Sequence, residues 1–268
     1  MDERLRFRSY GSGSSGNCYY LGNHSHGILI DAGVGIRTIR KYLRSQGFDF
    51  PHIWGVFVTH DHADHIKAVG SLGERHHIPI YATRKTHEGI DKSYCVTDKL
   101  SGSRKYIEKN DTITVGAFRI TPFPVSHDAT DSVGYRVEYQ DRVIIFATDL
   151  GYASQTVAGQ IRDANVLILE TNYDVQMLAD GPYHAVLKRR VAADTGHLSN
   201  DQAGECLSEN YHAGLQYVFL CHLSKENNHP ERAYETVRQC LKNKGIVAGK
   251  DVQLVVLERL SPSNVYLF

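Results

Sequence analysis

The sequence predicts a single layered α/β domain. Short apolar segments that alternate like strands are interleaved with amphipathic, helix-like segments along the whole 268-residue chain. It contains no internal repeat, low-complexity segment or obvious linker. A hydrophobic fraction of 41% over this length suffices for a substantial core. We therefore expect one domain that covers residues 1–268.

The N-terminal half predicts strands that end in turn signals. Residues 36, 39 and 43 are apolar at helical spacing, which indicates a helix that ends near Gly47, and a second helix is expected at residues 66–77. A glycine- and serine-rich stretch at residues 11–17, called the glycine/serine loop below, interrupts the first strand pattern. The predicted strands are residues 5–10, 18–21, 27–31, 54–60 and 78–82.

The C-terminal half has a stronger β pattern. A helical pattern at residues 203–207 lies between the predicted strands 166–170 and 215–221, and a second at residues 233–241 lies between 215–221 and 252–257. The predicted strands are residues 112–115, 118–122, 133–139, 142–148, 166–170, 215–221 and 252–257.

Composition and charge restrict the function classes. The 30 basic side chains balance the 30 acidic ones, so any electrostatic binding of nucleic acid must come from a local basic surface. No stretch approaches the roughly 18 apolar residues of a bilayer span, and the polar residues 1–4 do not resemble a signal peptide. We expect a cytoplasmic protein with no membrane partner. The five scattered cysteines, with no C-x-x-C pair, indicate neither a disulfide framework nor a zinc ribbon.

A histidine-rich turn follows the predicted strand at residues 54–60. His60, His62, Asp64 and His65 form an H-x-H-x-D-H pattern. Imidazole and carboxylate ligands suit zinc, manganese or iron, and ligands spaced this closely converge only on a sharp turn. The alternative is a solvated polar turn with surface histidines.

Further metal-ligand residue types follow later predicted strands. His127, Asp149 and His222 each emerge from an apolar run. Alone, either histidine would more often cap a strand end. As a set in this order they predict a site for more than one metal ion at one edge of a sheet.

This order of residues resembles the metallo-β-lactamase-fold superfamily over nearly the whole chain. The resemblance implies an αββα sandwich that holds two divalent metal ions, zinc or manganese. It implies that Asp149 bridges the two ions and that Asp31 orients a ligand through a hydrogen bond, although Asp31 also suits a simple strand-end turn. The implied ligands are His60, His62 and His127 for the first ion and Asp64, His65 and His222 for the second.

Smaller motifs resemble the YycJ/WalJ-type exonuclease group within that superfamily. They lie at residues 11–17, 124–129, 147–151, 169–174, 195–200 and 221–228. The resemblance implies a binuclear phosphodiesterase that acts as a 5′-to-3′ DNA exonuclease and uses a metal-bridging hydroxide. The alternatives are an RNA-processing nuclease, a small-ester or thioester hydrolase on the same metals, and a metal-free binding protein. The sequence does not determine the oligomeric state.

Several residues outside the ligand set are candidate catalytic or substrate contacts. With Asp149 as the bridge, His197 is the candidate general acid, its alternative being a packed residue at a helix start. Ser14 and Asn17 in the glycine/serine loop are candidate phosphate contacts, as is Ser199, which also suits a helix cap.

Acidic and basic segments supply further candidates. Glu170 and Asp174 are expected to support the metal ligands from behind. Residues 188–190 and the basic helix at residues 37–44 are candidate phosphate tracks, although a solvated surface explains each of them better.

Overall fold

The computed structural model describes residues 4–268, so residues 1–3 of the polar start lie outside the described part. Two seven-stranded sheets and eight α-helices are formed there. The chain divides into two compact units. The first contains the described residues up to 119 together with 129–133 and 258–268, and the second contains residues 120–128 and 134–257.

The elements alternate along the chain much as the sequence predicts. The strands are β1 (Arg6–Gly11), β2 (Cys18–Gly22), β3 (Gly27–Ile30), β4 (Ile53–Phe57), β5 (Ile80–Ala82), β6 (Arg104–Tyr106), β7 (Ile113–Val115), β8 (Phe118–Pro124), β9 (Val133–Tyr139), β10 (Arg142–Ala147), β11 (Val166–Glu170), β12 (Tyr217–Cys221), β13 (Gln253–Val256) and β14 (Tyr266–Leu267). The helices are α1 (Ile36–Arg44), α2 (Ala63–Ile66), α3 (Arg84–Lys92), α4 (Gln155–Asp163), α5 (Val175–Asp180), α6 (Ala185–Val191), α7 (Asn200–Asn210) and α8 (Pro230–Asn243).

The first sheet has the strand order β14-β1-β2-β3-β4-β5-β6. Its strands β3 to β6 run parallel to one another, whereas β2 pairs antiparallel with both β1 and β3. A buried core that includes Tyr10, Leu29, Ile39, Val56 and Ile80 stabilises the first unit.

The second sheet has the order β13-β12-β11-β10-β9-β8-β7. Strands β10 to β13 are parallel, and β9 pairs antiparallel with β10. The core of the second unit includes Ile145, Leu167, Leu207, Val218 and Val237, which come from the sheet and from helices α7 and α8. Each unit therefore has its own hydrophobic cluster.

Local sequence explains the helix boundaries. Helix α1 buries Ile39 and Leu43, carries basic side chains in its last turn, and is followed by Gly47 with φ 84°. Helix α7 begins at a capping box in which Ser199 accepts from the backbone N–H of Gln202 and the Gln202 side chain accepts from the Ser199 backbone N–H. The predicted stop at Gly47 and the predicted helix cap at Ser199 are confirmed.

Some predicted boundaries differ from the structure. The helical segment expected at residues 66–77 begins earlier, at Ala63, and contains a π-helical turn at Ser71–Arg75. The strand expected at residues 54–60 ends at Phe57, so His60 lies beyond it. No helix within residues 4–268 combines the length and apolar character that a membrane crossing requires.

The topology aligns strand ends that carry the candidate ligands. The carboxyl ends of neighbouring parallel strands lie at one edge of a sheet, where α/β proteins commonly bind ligands. Asp31 follows β3 in the first unit. In the second unit, Asp149 follows β10, Glu170 ends β11 and His222 follows β12.

Candidate metal centre

The first unit presents a compact histidine turn. His62 is the residue before α2, so Asp64 and His65 lie in the first turn of that helix. The ring centroids of His60 and His65 are 4.1 Å apart, and those of His60 and His62 are 4.7 Å apart. The H-x-H-x-D-H spacing therefore brings three imidazoles together through local backbone geometry.

A buried carboxylate holds His65. Asp31 Oδ2 accepts a hydrogen bond from His65 Nδ1 at 2.7 Å, and Asp31 Oδ1 accepts from the backbone N–H of Thr59 at 2.8 Å. The Thr59 hydroxyl oxygen also lies 3.0 Å from His60 Nδ1. Burial raises the pKa of Asp31, and its hydrogen bonds with His65 and Thr59 oppose this rise. With a proton on Nδ1, His65 directs the lone pair of Nε2 away from Asp31.

The glycine/serine loop packs directly against this turn. The backbone N–H of Asn17 donates to the Asp64 carbonyl at 2.7 Å, and Asn17 Nδ2 lies 2.9 Å from His65 Nε2. A Cβ atom at Gly33 would lie 1.6 Å from the Asp64 carbonyl oxygen, so only glycine fits there. Asn17 is fully buried beside the histidine turn, whereas Ser14 and Ser15 of the loop are exposed.

The second unit contains a buried cluster of four potential ligands. One ligand atom from each of Asp149, Glu170, His197 and His222 lies within 4.8 Å of the others. Asp149 and His222 both adopt φ 57°, a left-handed conformation that turns the chain sharply at the strand end. Asp149, Glu170 and His222 lie at or just beyond the carboxyl ends of the parallel strands β10, β11 and β12, and His197 lies in the segment between α6 and α7.

Glu170 organises two of the histidines. Its Oε1 accepts from His197 Nδ1 at 2.7 Å and from His222 Nδ1 at 3.0 Å. Its Oε2 accepts from the backbone N–H groups of Leu150 and Leu198. Burial alone would raise the pKa of Glu170, but His197 and His222 hold it well below its usual range.

Asp174, which we expected to support the ligands together with Glu170, has a different position. It precedes α5, where its Oδ1 accepts from the backbone N–H of Met177 at 2.8 Å. It also pairs with Arg232 at 3.3 Å. The expectation for Asp174 is wrong because its carboxylate caps a helix, as acidic residues before a first turn commonly do.

His127 is oriented by a backbone carbonyl. Its Nδ1 donates to the Gly196 carbonyl at 2.9 Å, while Nε2 lies 3.7 Å from Asp149 Oδ1. Burial lowers the pKa of His127, which favours the neutral imidazole that binds metal.

The imidazoles share an arrangement that fits a metal site. His65, His127 and His222 each direct Nδ1 to an oxygen acceptor, so Nε2 is the atom that each ring could offer to a metal. In His65 this Nε2 lies 2.9 Å from Asn17 Nδ2. Metal-ligating histidines in proteins are commonly fixed in this way. The nitrogen and carboxylate donors also match divalent metals such as zinc and manganese.

His197 lies between two of these rings. Its ring centroid is 5.0 Å from that of His127 and 5.3 Å from that of His222. Burial lowers the pKa of His197, but the adjacent Glu170 carboxylate more than offsets this and raises the pKa above its usual value. Its side chain remains 21% exposed, so it can both hold a proton and meet a substrate.

Together, the two-sheet fold and the histidine–carboxylate clusters define a metallo-β-lactamase-fold hydrolase. The family model described as "Beta-lactamase superfamily domain" matches residues 26–222. The chain belongs to this superfamily and to its YycJ/WalJ-type group.

Two relatives match almost the entire chain. Exodeoxyribonuclease YycJ of Bacillus anthracis is 31% identical over 262 residues, which is 97% of this chain and 98% of the relative. Exodeoxyribonuclease WalJ of Streptococcus pneumoniae is 34% identical over 251 residues, which is 93% of each chain.

Solved structures confirm the fold. The metallo-β-lactamase-fold protein YhfI of Bacillus subtilis matches with a TM-score of 0.71 and 18% identity over 99% of this chain and all of its own. Zn²⁺-bound PqqB of Methylobacterium extorquens matches with a TM-score of 0.71 and 14% identity over 97% and 99% of the two chains. The αββα fold class predicted from the sequence is confirmed, while the single-domain division at residues 1–268 stays a prediction.

Proposed function

We propose that this protein is a binuclear metal-dependent phosphodiesterase that degrades DNA as a 5′-to-3′ exonuclease. The observation that carries the proposal is the buried cluster of Asp149, Glu170, His197 and His222 in a chain whose near full-length relatives are named exodeoxyribonucleases. A nucleic acid partner and a cytoplasmic location are part of the same proposal.

The proposed metal ligands are the seven residues identified from the sequence. The Nδ1 hydrogen bonds of His65, His127 and His222 support this choice because a ring held at Nδ1 would offer Nε2 to a metal. Two bound divalent ions would polarise the scissile phosphate of the substrate and activate a water molecule for in-line displacement. The proposed set is His60, His62 and His127 for one ion, Asp64, His65 and His222 for the other, and Asp149 as the bridge.

His197 is the proposed general acid. Since its Nδ1 hydrogen-bonds to Glu170 Oε1, its Nε2 is the atom that would donate a proton to the leaving oxygen. The raised pKa of His197 favours the protonated form that this step requires. Glu170 would keep the ring oriented and stabilise its positive charge.

Among the three proposed substrate contacts, Ser14 suits the role best. It is exposed in the glycine/serine loop, where a hydroxyl can reach a phosphate. Ser199 Oγ accepts from Gln202 N, and Asn17 packs beside His65. We therefore propose that Asn17 and Ser199 contribute to substrate binding indirectly. Asn17 would stabilise the glycine/serine loop, and Ser199 would stabilise the start of α7.

A substrate panel tests the proposal. The manganese- and zinc-loaded protein is offered linear duplex DNA labelled at the 5′ or 3′ end, RNA of the same sequence, and a thioester. We expect mononucleotide release from DNA, with the 5′ label lost first. Activity on RNA alone or on the thioester alone would contradict DNA exonuclease function, and loss of the 3′ label first would contradict the polarity.

Substitution of ligands provides the control for contaminating nucleases. H62A and D149A, purified in the same way, should lose turnover while circular dichroism shows the secondary structure of the wild type. Binding of DNA by the wild type without turnover under either metal would instead indicate a binding protein.

A further inference from the structure

A basic segment precedes the turn that carries His197. Residues 181–193 contain Lys188, Arg189 and Arg190 and no acidic residue. Helix α6 within this segment has no buried residue, and Val186 is 72% exposed. Hydrophobic burial therefore does not account for the placement of this helix.

The end of α6 is attached to the candidate catalytic residues. The backbone N–H of His197 donates to the Val191 carbonyl at 2.9 Å. A Cβ at Gly196 would lie 2.2 Å from that carbonyl oxygen, so the turn packs tightly against the helix end. The Gly196 carbonyl in turn accepts from His127 Nδ1. One turn thus joins α6 to both histidines.

Side-chain contacts hold the helix further. Arg190 Nε donates to Asp128 Oδ2 at 2.5 Å, and Asp128 directly follows His127. Lys188 Nζ donates to the Ala179 carbonyl at 2.5 Å. Arg189 is exposed, and Val186, Arg189 and Arg190 have the i, i+3, i+4 spacing of one helix face.

We propose that this face of α6, formed by Val186, Arg189 and Arg190, binds the sugar–phosphate backbone of the polynucleotide beside the scissile phosphate. Arginine matches phosphate in charge and geometry, and a chain of zero net charge needs such a local basic surface. Val186 would pack against the apolar faces of the nucleotides. This inference rests on the proposed nuclease function.

Charge reversal at Arg189 tests the inference. We expect R189E to raise KM for DNA roughly tenfold at about 0.1 M salt, with the larger part of the effect in KM rather than kcat. The slope of log(1/KM) against log salt concentration should become shallower by about one, as expected when one phosphate contact is lost. R189K, which keeps the positive charge, should have a KM and a salt slope close to those of the wild type.

The matched control is K250E, which reverses an exposed basic residue in the turn before β13. It should keep the wild-type KM and salt slope. The inference is overturned if R189E behaves like the wild type, or if K250E loses as much as R189E. A wild-type protein that hydrolyses a thioester but no polynucleotide would refute the nuclease function itself, whereas active wild type with an unaffected R189E refutes only the role of α6.

Discussion

A single carboxylate oxygen orients two histidines of the second unit. Glu170 Oε1 contacts Nδ1 of both His197 and His222, although the two rings have different proposed roles. His222 is a proposed ligand and His197 a proposed acid. The backbone N–H groups of Leu150 and Leu198 donate to Glu170 Oε2 and so stabilise the carboxylate in the orientation that contacts both rings.

This arrangement predicts different effects for the acid and for a ligand. H197A should lower turnover about 10²- to 10⁴-fold, because the leaving oxygen loses its proton donor. Bound metal, measured by elemental analysis after desalting, should stay near the wild-type level. D149A should lose both turnover and metal. If the purified H197A protein contained no bound metal, His197 would itself be a ligand.

The hydrogen bond between Asp31 and His65 allows a second test at the residue scale. D31N keeps the side-chain size but removes the charge that fixes the Nδ1 proton of His65. We expect metal affinity to fall about 10- to 100-fold, measured by competition with a chelating dye. D111N, at an exposed carboxylate, is the control. Equal affinities for D31N and D111N would exclude the orienting role of Asp31.

At the scale of elements, strand ends shape the candidate site. Asp31, Asp149 and His222 each follow a parallel strand and each adopts φ between 57° and 58°. A left-handed conformation is unfavourable for residues other than glycine and persists where surrounding contacts enforce it. Its recurrence after β3, β10 and β12 indicates that the sheets position these side chains against a local backbone preference.

The structure explains why some elements were not predicted from the sequence. Helix α6 has no buried residue, so it lacks the apolar periodicity that indicates a helix. Strand β6 has three residues, two of them basic, and forms only because it pairs with β5. By contrast, β9 and β11 have the bounds that the sequence predicts, because the apolar residues of these strands are the ones that are buried in the sheet.

The junction between α1 and the following turn has a pH-dependent ion pair. Burial raises the pKa of Asp49, but the Phe50 backbone N–H and the guanidinium groups of Arg40 and Arg44 together outweigh it and lower this pKa from 3.8 to about 2. A lowered folded-state pKa stabilises the fold above pH 3.8, and this contribution is lost as the pH falls through about 2.

D49N tests this contribution. It should be less stable than the wild type at pH 7 by about 1 kcal/mol or less, as expected for a partly exposed pair. The difference in the free energy of unfolding between D49N and the wild type, measured by urea unfolding, should shrink as the pH falls from 4 to about 2. D141N, at a side chain that is 83% exposed, should show no such trend. A constant difference across the range would contradict the assignment.

For the whole molecule, metal binding should stabilise the native state. A ligand that binds only the folded protein at a hundredfold excess over Kd contributes about 2.7 kcal/mol, which corresponds to a rise in Tm of about 5 to 11 °C for a chain of this size. We expect this rise when manganese or zinc is added to chelator-treated protein, measured by differential scanning fluorimetry. H222A should show a smaller rise, while H24A, at an exposed histidine, should respond like the wild type. An equal rise in H222A would argue against His222 as a ligand.

The sequence by itself determined the superfamily, the fold class and the types of candidate ligand residue that follow several of the strands. These features are readable because local spacing and strand burial leave direct patterns in the chain, as in the turn from His60 to His65. Only the tertiary structure decided that Glu170 contacts both His197 and His222 and that Asn17 packs beside His65. The contacts of Glu170 and Asn17 join residues between 27 and 52 positions apart. No local pattern specifies such hydrogen bonds, because the packing of separate strands and loops sets their geometry.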